Sequence, residues 1–158
     1  MYVCSLKYMF TGLLHIHSFL RWIILFLLVF TVVKAFSGWL RKKPFEKLDN
    51  KLSLFSMIAV HTQLLFGISL YFLSGFVRAG WSDLGNAMKD PVLRFWSVEH
   101  NFGMLCAIAL ITAGRIGLKK IQEHNKKHQR IALYYLFALL IIFFSIPWPF
   151  SIVSRPWF

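Results

Sequence analysis

Three of the four long apolar stretches of this chain carry a histidine in their interior: His17, His61 and His100. An ionisable side chain is costly inside a bilayer, so it usually faces a bundle interior and marks a pathway or a bound group. Depth can be read from the helix rise of about 1.5 Å per residue, counted from the end of each span nearest the basic loops. On that scale His17 lies at about 33 Å, His100 at about 28 Å and His61 at about 15 Å, close to the midplane. In a four-helix ring the first and third helices are diagonal. His17 and His100 are then expected to point at each other across the bundle. Axial ligands above and below a haem iron need that disposition.

Neighbouring residues fit the same chemistry. Arg21 follows His17 by four residues and lies on its face one turn deeper. It is expected to seek a carboxylate, either a haem propionate or Glu99. Gly103, three residues after His100, leaves room for a flat ring or a close helix. Ala107 and Gly114 continue that small-residue stripe. His15 lies about 200° around the helix from His17, so only one of them can face the core. The pairing with Arg21 favours His17; if the other face is inward, His15 is the ligand. His61 has no histidine at its depth on the fourth span, because His128 is about ten residues' rise away. It is either a competing ligand to a more central haem with His100 or half of a second site with His128. Gln63, Tyr71, Tyr134 and Tyr135 are polar enough to bond a quinone or a propionate, though such residues more often pack. The bland reading of the whole set is helix-contact glue: imidazoles hydrogen-bond between helices and small residues let backbones approach. In that reading Arg21 and Lys34 extend toward the membrane surface.

The elements that must position these residues are transmembrane helices. The chain has 158 residues, of which 58% are hydrophobic, and 17 are Phe; its mean hydropathy is +0.60. About 20 apolar residues cross the hydrocarbon as a helix. Four segments qualify: Leu13–Leu40, Leu52–Phe76, Phe95–Leu118 and Ile131–Trp148. The expectation is an all-α integral membrane protein, a single four-helix domain over residues 1–158 running up-down-up-down. The first span lacks a basic leader and an A-x-A site, so it is expected to remain in the mature protein.

A net charge of +12 does not point to nucleic acid here. Arg41, Lys42, Lys43, Lys47 and Lys51 crowd the first loop, and Arg115, Lys119, Lys120, Lys126, Lys127 and Arg130 crowd the third. The second loop holds only Arg78, Lys89 and Arg94. This is the positive-inside pattern, which puts loops one and three in the cytoplasm and both termini outside. The basic loops are also placed to touch anionic lipid headgroups. Cys4 and Cys106 differ too much in depth to form a bridge.

Turn signals fall between the spans. Gly38 and Pro44 bracket the end of the first helix, Asn50 is a candidate cap for the second, and Asp90-Pro91 leads into the third. Pro147 and Pro149 stop the fourth. The second loop, residues 77–96, is long enough for a short amphipathic surface helix. Trp39, Trp81, Trp96, Trp148 and Trp157 lie near span ends, as in an aromatic belt.

The strings LLHIHSFLRW, MIAVHTQLLFGISLYF, FWSVEHNFGMLCAIALITAGR and IPWPF resemble a family of short four-helix bacterial membrane proteins labelled cytochrome b-like. The resemblance covers nearly the whole chain. It implies haem b and electron transport in the bacterial cytoplasmic (inner) membrane, with His15 or His17, His61 and His100 as the metal-binding candidates. Quinol and a larger respiratory or membrane complex are the implied partners. Two-haem b-type cytochromes carry paired histidines about a dozen residues apart on one helix, a spacing this chain lacks. There is also a distant likeness to small four-helix oxidases of haem biosynthesis. Two further functions follow: a quinone- or porphyrin-linked oxidoreductase in which Glu99 relays protons, and a cofactor-free structural or assembly subunit. The chain has no G-x-S-x-G, H-E-x-x-H or Walker sequence.

Overall fold

A computed structural model describes the backbone of residues 2–153 and the side chains of residues 8–153. It is helical throughout, with no strand among the described residues. The elements are α1 (Tyr2–Leu40), α2 (Lys47–Leu73), α3 (Gly75–Ser82), α4 (Leu84–Ala87), α5 (Pro91–Arg94), α6 (His100–Gly117) and α7 (His124–Ser145). A π turn (Phe95–Glu99) joins α5 to α6, and a 3₁₀ turn (Leu118–Lys120) follows α6. Four helical stretches are long and apolar enough to cross a membrane: Tyr8–Leu40, Lys47–Leu73, Pro91–Lys120 and His124–Ser145.

The helices extend past the apolar windows because local chemistry, not hydropathy, sets their ends. α2 starts at Lys47, five residues before the expected Leu52, because Glu46 and Asp49 form a reciprocal capping box. Asn50 lies inside the first turn. α7 starts at His124, since its basic first two turns are helix-forming although not apolar. It ends at Ser145 because Pro147 disfavours the helical conformation at Ile146. Asp90 caps the entry to α5, accepting from the backbone N–H groups of Val92 and Leu93 at 2.8 and 2.9 Å, with Pro91 next. α1 runs through Gly38 to Leu40, and Lys42 takes the left-handed conformation just beyond it (φ 50°).

α1 packs along α2 and α7; α6 packs along α7 and, over a shorter length, along α2. α1 and α6 thus share both neighbours and face one another across the interior. Leu28, Ala107, Ile111, Ala132, Tyr135 and Ala138 fill that interior with no exposure at all. Large apolar side chains also lie on the outside of the spans: Phe26 is 77% and Phe144 79% exposed, with Phe19, Phe72 and Phe102 also exposed. Water disfavours so many large exposed apolar side chains, whereas a hydrocarbon surrounding accepts them.

The small-residue stripe of α6 is the seam with α7. A methyl group on Gly103 would meet the Ser145 side chain, and on Gly114 the side chains of Tyr134 and Tyr135. On Gly117 it would meet the Arg130 guanidinium, which donates to the carbonyls of Ala113 and Gly114 at 2.9 and 3.2 Å.

Candidate cofactor site

The rings of His17 and His100 lie 6.5 Å apart between centroids, their planes at 62°. α1 supplies one and α6 the other. Imidazole–metal bonds of roughly 2 Å on either side of one ion would put two ring centroids about 6 Å apart. Rotation of either ring about the metal–nitrogen axis leaves the ligation unchanged, so the 62° twist is compatible with a shared axis.

The surroundings hold each ring. Nδ1 of His100 lies 2.8 Å from the carbonyl oxygen of Ser145 on α7. A carbonyl only accepts, so Nδ1 carries a proton, and in the neutral ring this leaves the lone pair on Nε2. Histidine ligands are commonly held this way, with the second nitrogen donating to a backbone carbonyl. Phe95 and Trp96 both pack against the His100 ring, each 5.7 Å from it between centroids. The π turn makes that double contact available. Its wider winding, closed by the His100 N–H to the Phe95 carbonyl, brings residues four and five positions upstream under one side chain. Asn101 Nδ2 donates to the Trp96 carbonyl at 2.8 Å, and Tyr71 Oη to the Ser97 carbonyl at 3.3 Å; both hold the widened turn. Tyr71 in turn accepts from Trp81 Nε1 of α3 at 2.6 Å. Gly80 of α3 lies so close to Ser97 that a methyl group there would overlap it.

On the α1 side, Gly67 of α2 faces the His17 ring; a methyl group there would sit 3.5 Å from it, in ordinary contact. Gln63 Nε2 donates to the His17 carbonyl at 2.8 Å, and Gln63 Oε1 is buried with no hydrogen-bond partner. Arg21 is half-buried one turn along α1, its guanidinium 5.2 Å from the Trp22 ring. Trp22 meets Trp148 edge-on at 6.2 Å, so the IPWPF segment folds back beside the site. Glu99 is bound to Arg94 at 2.6 Å within its own segment. That ion pair occupies the carboxylate that was a candidate partner for Arg21.

The other candidates fall elsewhere. His15 is exposed on the outer face of α1. His61 is exposed on α2, with Nδ1 2.8 Å from its own helix's Met57 carbonyl. Gly103 faces Ser145, so the space it leaves is taken by α7, which carries the carbonyl that holds His100. His128 is 1% exposed at the opposite end of the bundle, against Phe45 and Gly38. Tyr135 donates to the Ser53 carbonyl at 2.7 Å, and Lys34 pairs with Asp49 at 3.0 Å. Among the described residues no group of three or more His, Cys, Asp or Glu side chains could hold a metal ion.

Sequence reading singled out His17, His100, Arg21 and Gly103. It missed Ser145, Phe95, Trp96 and Gly67. Only the run FWSVEH, aromatic residues one helical turn before a histidine, hinted at any of them. No protein-family model, curated protein or solved structure matches this chain.

Proposed function

We propose that this is a membrane electron-transfer protein that holds haem b between His17 and His100. The observation that carries the reading is the 6.5 Å approach of two imidazoles from facing helices, one with its tautomer set by the Ser145 carbonyl. Two histidines alone under-coordinate a metal ion, and no third His, Cys, Asp or Glu joins them among the described residues. A tetrapyrrole supplies the four missing nitrogens, which is why two protein ligands suffice for haem. The unpartnered Gln63 Oε1 and the nearby Arg21 fit a group that carries both polar and anionic edges. When bound, haem would supply one-electron transfer at iron. The chain's own part is to fix both rings, to place a cation beside the site and to line the surroundings with Phe95, Trp96 and Trp22.

The helices alternate up and down in this reading. Contacts of His17 with Gly67, Thr31 with Ser56 and Lys34 with Asp49 run in opposite chain directions along α1 and α2 and support it. With the basic loops in the cytoplasm, the imidazole pair lies toward the outer face of a bacterial inner membrane. Quinol in the bilayer is the proposed donor, and a larger membrane complex or an external redox protein the acceptor.

An optical spectrum of protein purified after haem-replete expression tests this. Reduced and oxidised forms should show a b-type spectrum, lost in His17→Ala and in His100→Ala and kept in His61→Ala. A colourless wild-type protein sinks the proposal. In that case the His100–Ser145 and Gln63–His17 bonds are interhelical glue, and the chain is a cofactor-free subunit.

A further inference from the structure

The two basic loops converge on one cleft. It has a volume of about 400 Å³ and lies between the start of α2, the end of α6 and the start of α7. Lys47, Arg115, Lys119 and Lys127 line it, with Asn50 and Glu46. The Glu46 carboxylate is engaged with the backbone N–H of Asp49 in the capping box. Ion pairs among the described residues join Lys34 to Asp49, Arg94 to Glu99 and Lys126 to Glu123, and involve none of the four cleft cations. Positive-inside bias requires cations in these loops but does not require them to surround one cavity. Gathering four like charges raises their mutual repulsion, and a bound anion relieves it.

We propose that this cleft binds the phosphate of an anionic phospholipid headgroup. Arg115 offers the planar fork that grips phosphate oxygens in pairs, and the three lysines add mobile point charges. Asn50 can donate to a phosphate oxygen through its amide. The position selects a lipid over a soluble anion. Leu118 forms part of the lining, and the neighbouring Ile116 is 56% exposed on the apolar exterior, where an acyl chain would lie. Basic pockets of this kind at the cytoplasmic ends of helices bind anionic headgroups. The assignment is independent of the haem proposal.

Native mass spectrometry of the full-length protein in neutral detergent tests it. The probes are dioctanoyl phosphatidylglycerol, dioctanoyl phosphatidylcholine and inorganic phosphate. Wild type should bind one phosphatidylglycerol at least tenfold more tightly than phosphatidylcholine. Lys119→Gln, a change at an exposed side chain, should weaken that binding several-fold, and Arg115→Gln/Lys119→Gln should abolish the preference. Lys89→Gln in the other loop removes the same charge and should leave it intact. Inorganic phosphate binding as tightly as the lipid would support the phosphate site but reassign its source to a soluble anion. Equal binding of the two lipids, or an equal loss in Lys89→Gln, overturns the proposal.

Discussion

The two ends of the bundle each bring a histidine inward, and they treat it differently. At the end carrying the basic loops, His128 is closed in on every side. Phe45 meets its ring edge-on at 5.0 Å, Gly38 of α1 lies flush against it, and Nε2 faces the Pro44 carbonyl at 3.4 Å. Around it Lys34 pairs with Asp49, Thr31 contacts Ser56 at 3.1 Å, and Tyr135 bonds the Ser53 backbone. These contacts knit α1, α2 and α7 together, while Nδ1 of His128 itself is buried without a hydrogen-bond partner. At the other end His17 and His100 are half-buried, face each other and are backed by aromatic rings and one carbonyl. A buried imidazole therefore says little alone. A ring flattened against a glycine packs; two rings 6.5 Å apart from facing helices are the pair on which the haem proposal rests.

Substitutions at the two ends should separate these roles. The largest effect is expected on pigment: His17→Ala or His100→Ala should remove the haem spectrum, whereas His128→Ala should keep it and cost about 3 kcal/mol of stability through the cavity left behind. Retention of the spectrum in both single variants of the facing pair would erase the distinction between the ends. Next comes Asp49→Ala, which strips Lys34 of its partner and Glu46 of the cap on its N–H, a 2.8 Å bond. It should lower stability by about 2–3 kcal/mol in thermal denaturation, at the lower margin for a broken buried pair because Lys34 is partly exposed. A matched pair of glycine changes is expected to be smaller. Gly38→Ala drives a methyl group into the buried His128 ring, costing about 2 kcal/mol. Gly103→Ala meets the Ser145 hydroxyl, at the end of a short rotatable side chain, with the Ser145 Cβ at 3.3 Å and Ile141 Cγ2 at 3.7 Å. Its cost should be under about 1 kcal/mol, yet it should shift the haem spectrum because α7 carries the carbonyl that holds His100.

The smallest expected effect concerns pH and the segment between α2 and α6 that flanks the paired imidazoles. Hydrogen bonds from the Asn86 backbone and side chain hold the Asp83 carboxyl below its ordinary value of 3.8. Its folded form therefore binds protons more weakly than its unfolded form. The contribution to α4 is complete above pH 3.8 and is lost as pH falls through the depressed value. The protection of the Asn86 amide against exchange, taken relative to its intrinsic rate at each pH, should fall in that window while protection around His128 stays unchanged.

The four spans were legible because bilayer thickness imposes a length that any apolar run reveals. The choice of His17 over His15 was legible too, since a charge at Arg21 marks the inward face and the two histidines lie on opposite sides of one helix. The true start of α2 was less legible: the acidic capping pair lies in a basic loop outside the apolar window. The outward turn of His61 was not legible at all. Its depth follows from counting, but its face depends on how α2 rotates against α1 and α6.

What the sequence determined by itself is the set of helices, the charge asymmetry between loops and the matched depth of two histidines, because each depends only on residue type and position along a regular helix. The tertiary structure decided which neighbours hold those rings: the Ser145 carbonyl from α7, the widened turn that gathers Phe95 and Trp96, and the meeting of two basic loops on one cleft. Helix rotation and the local widening of a turn are settled by packing between distant segments, which no single stretch of chain encodes.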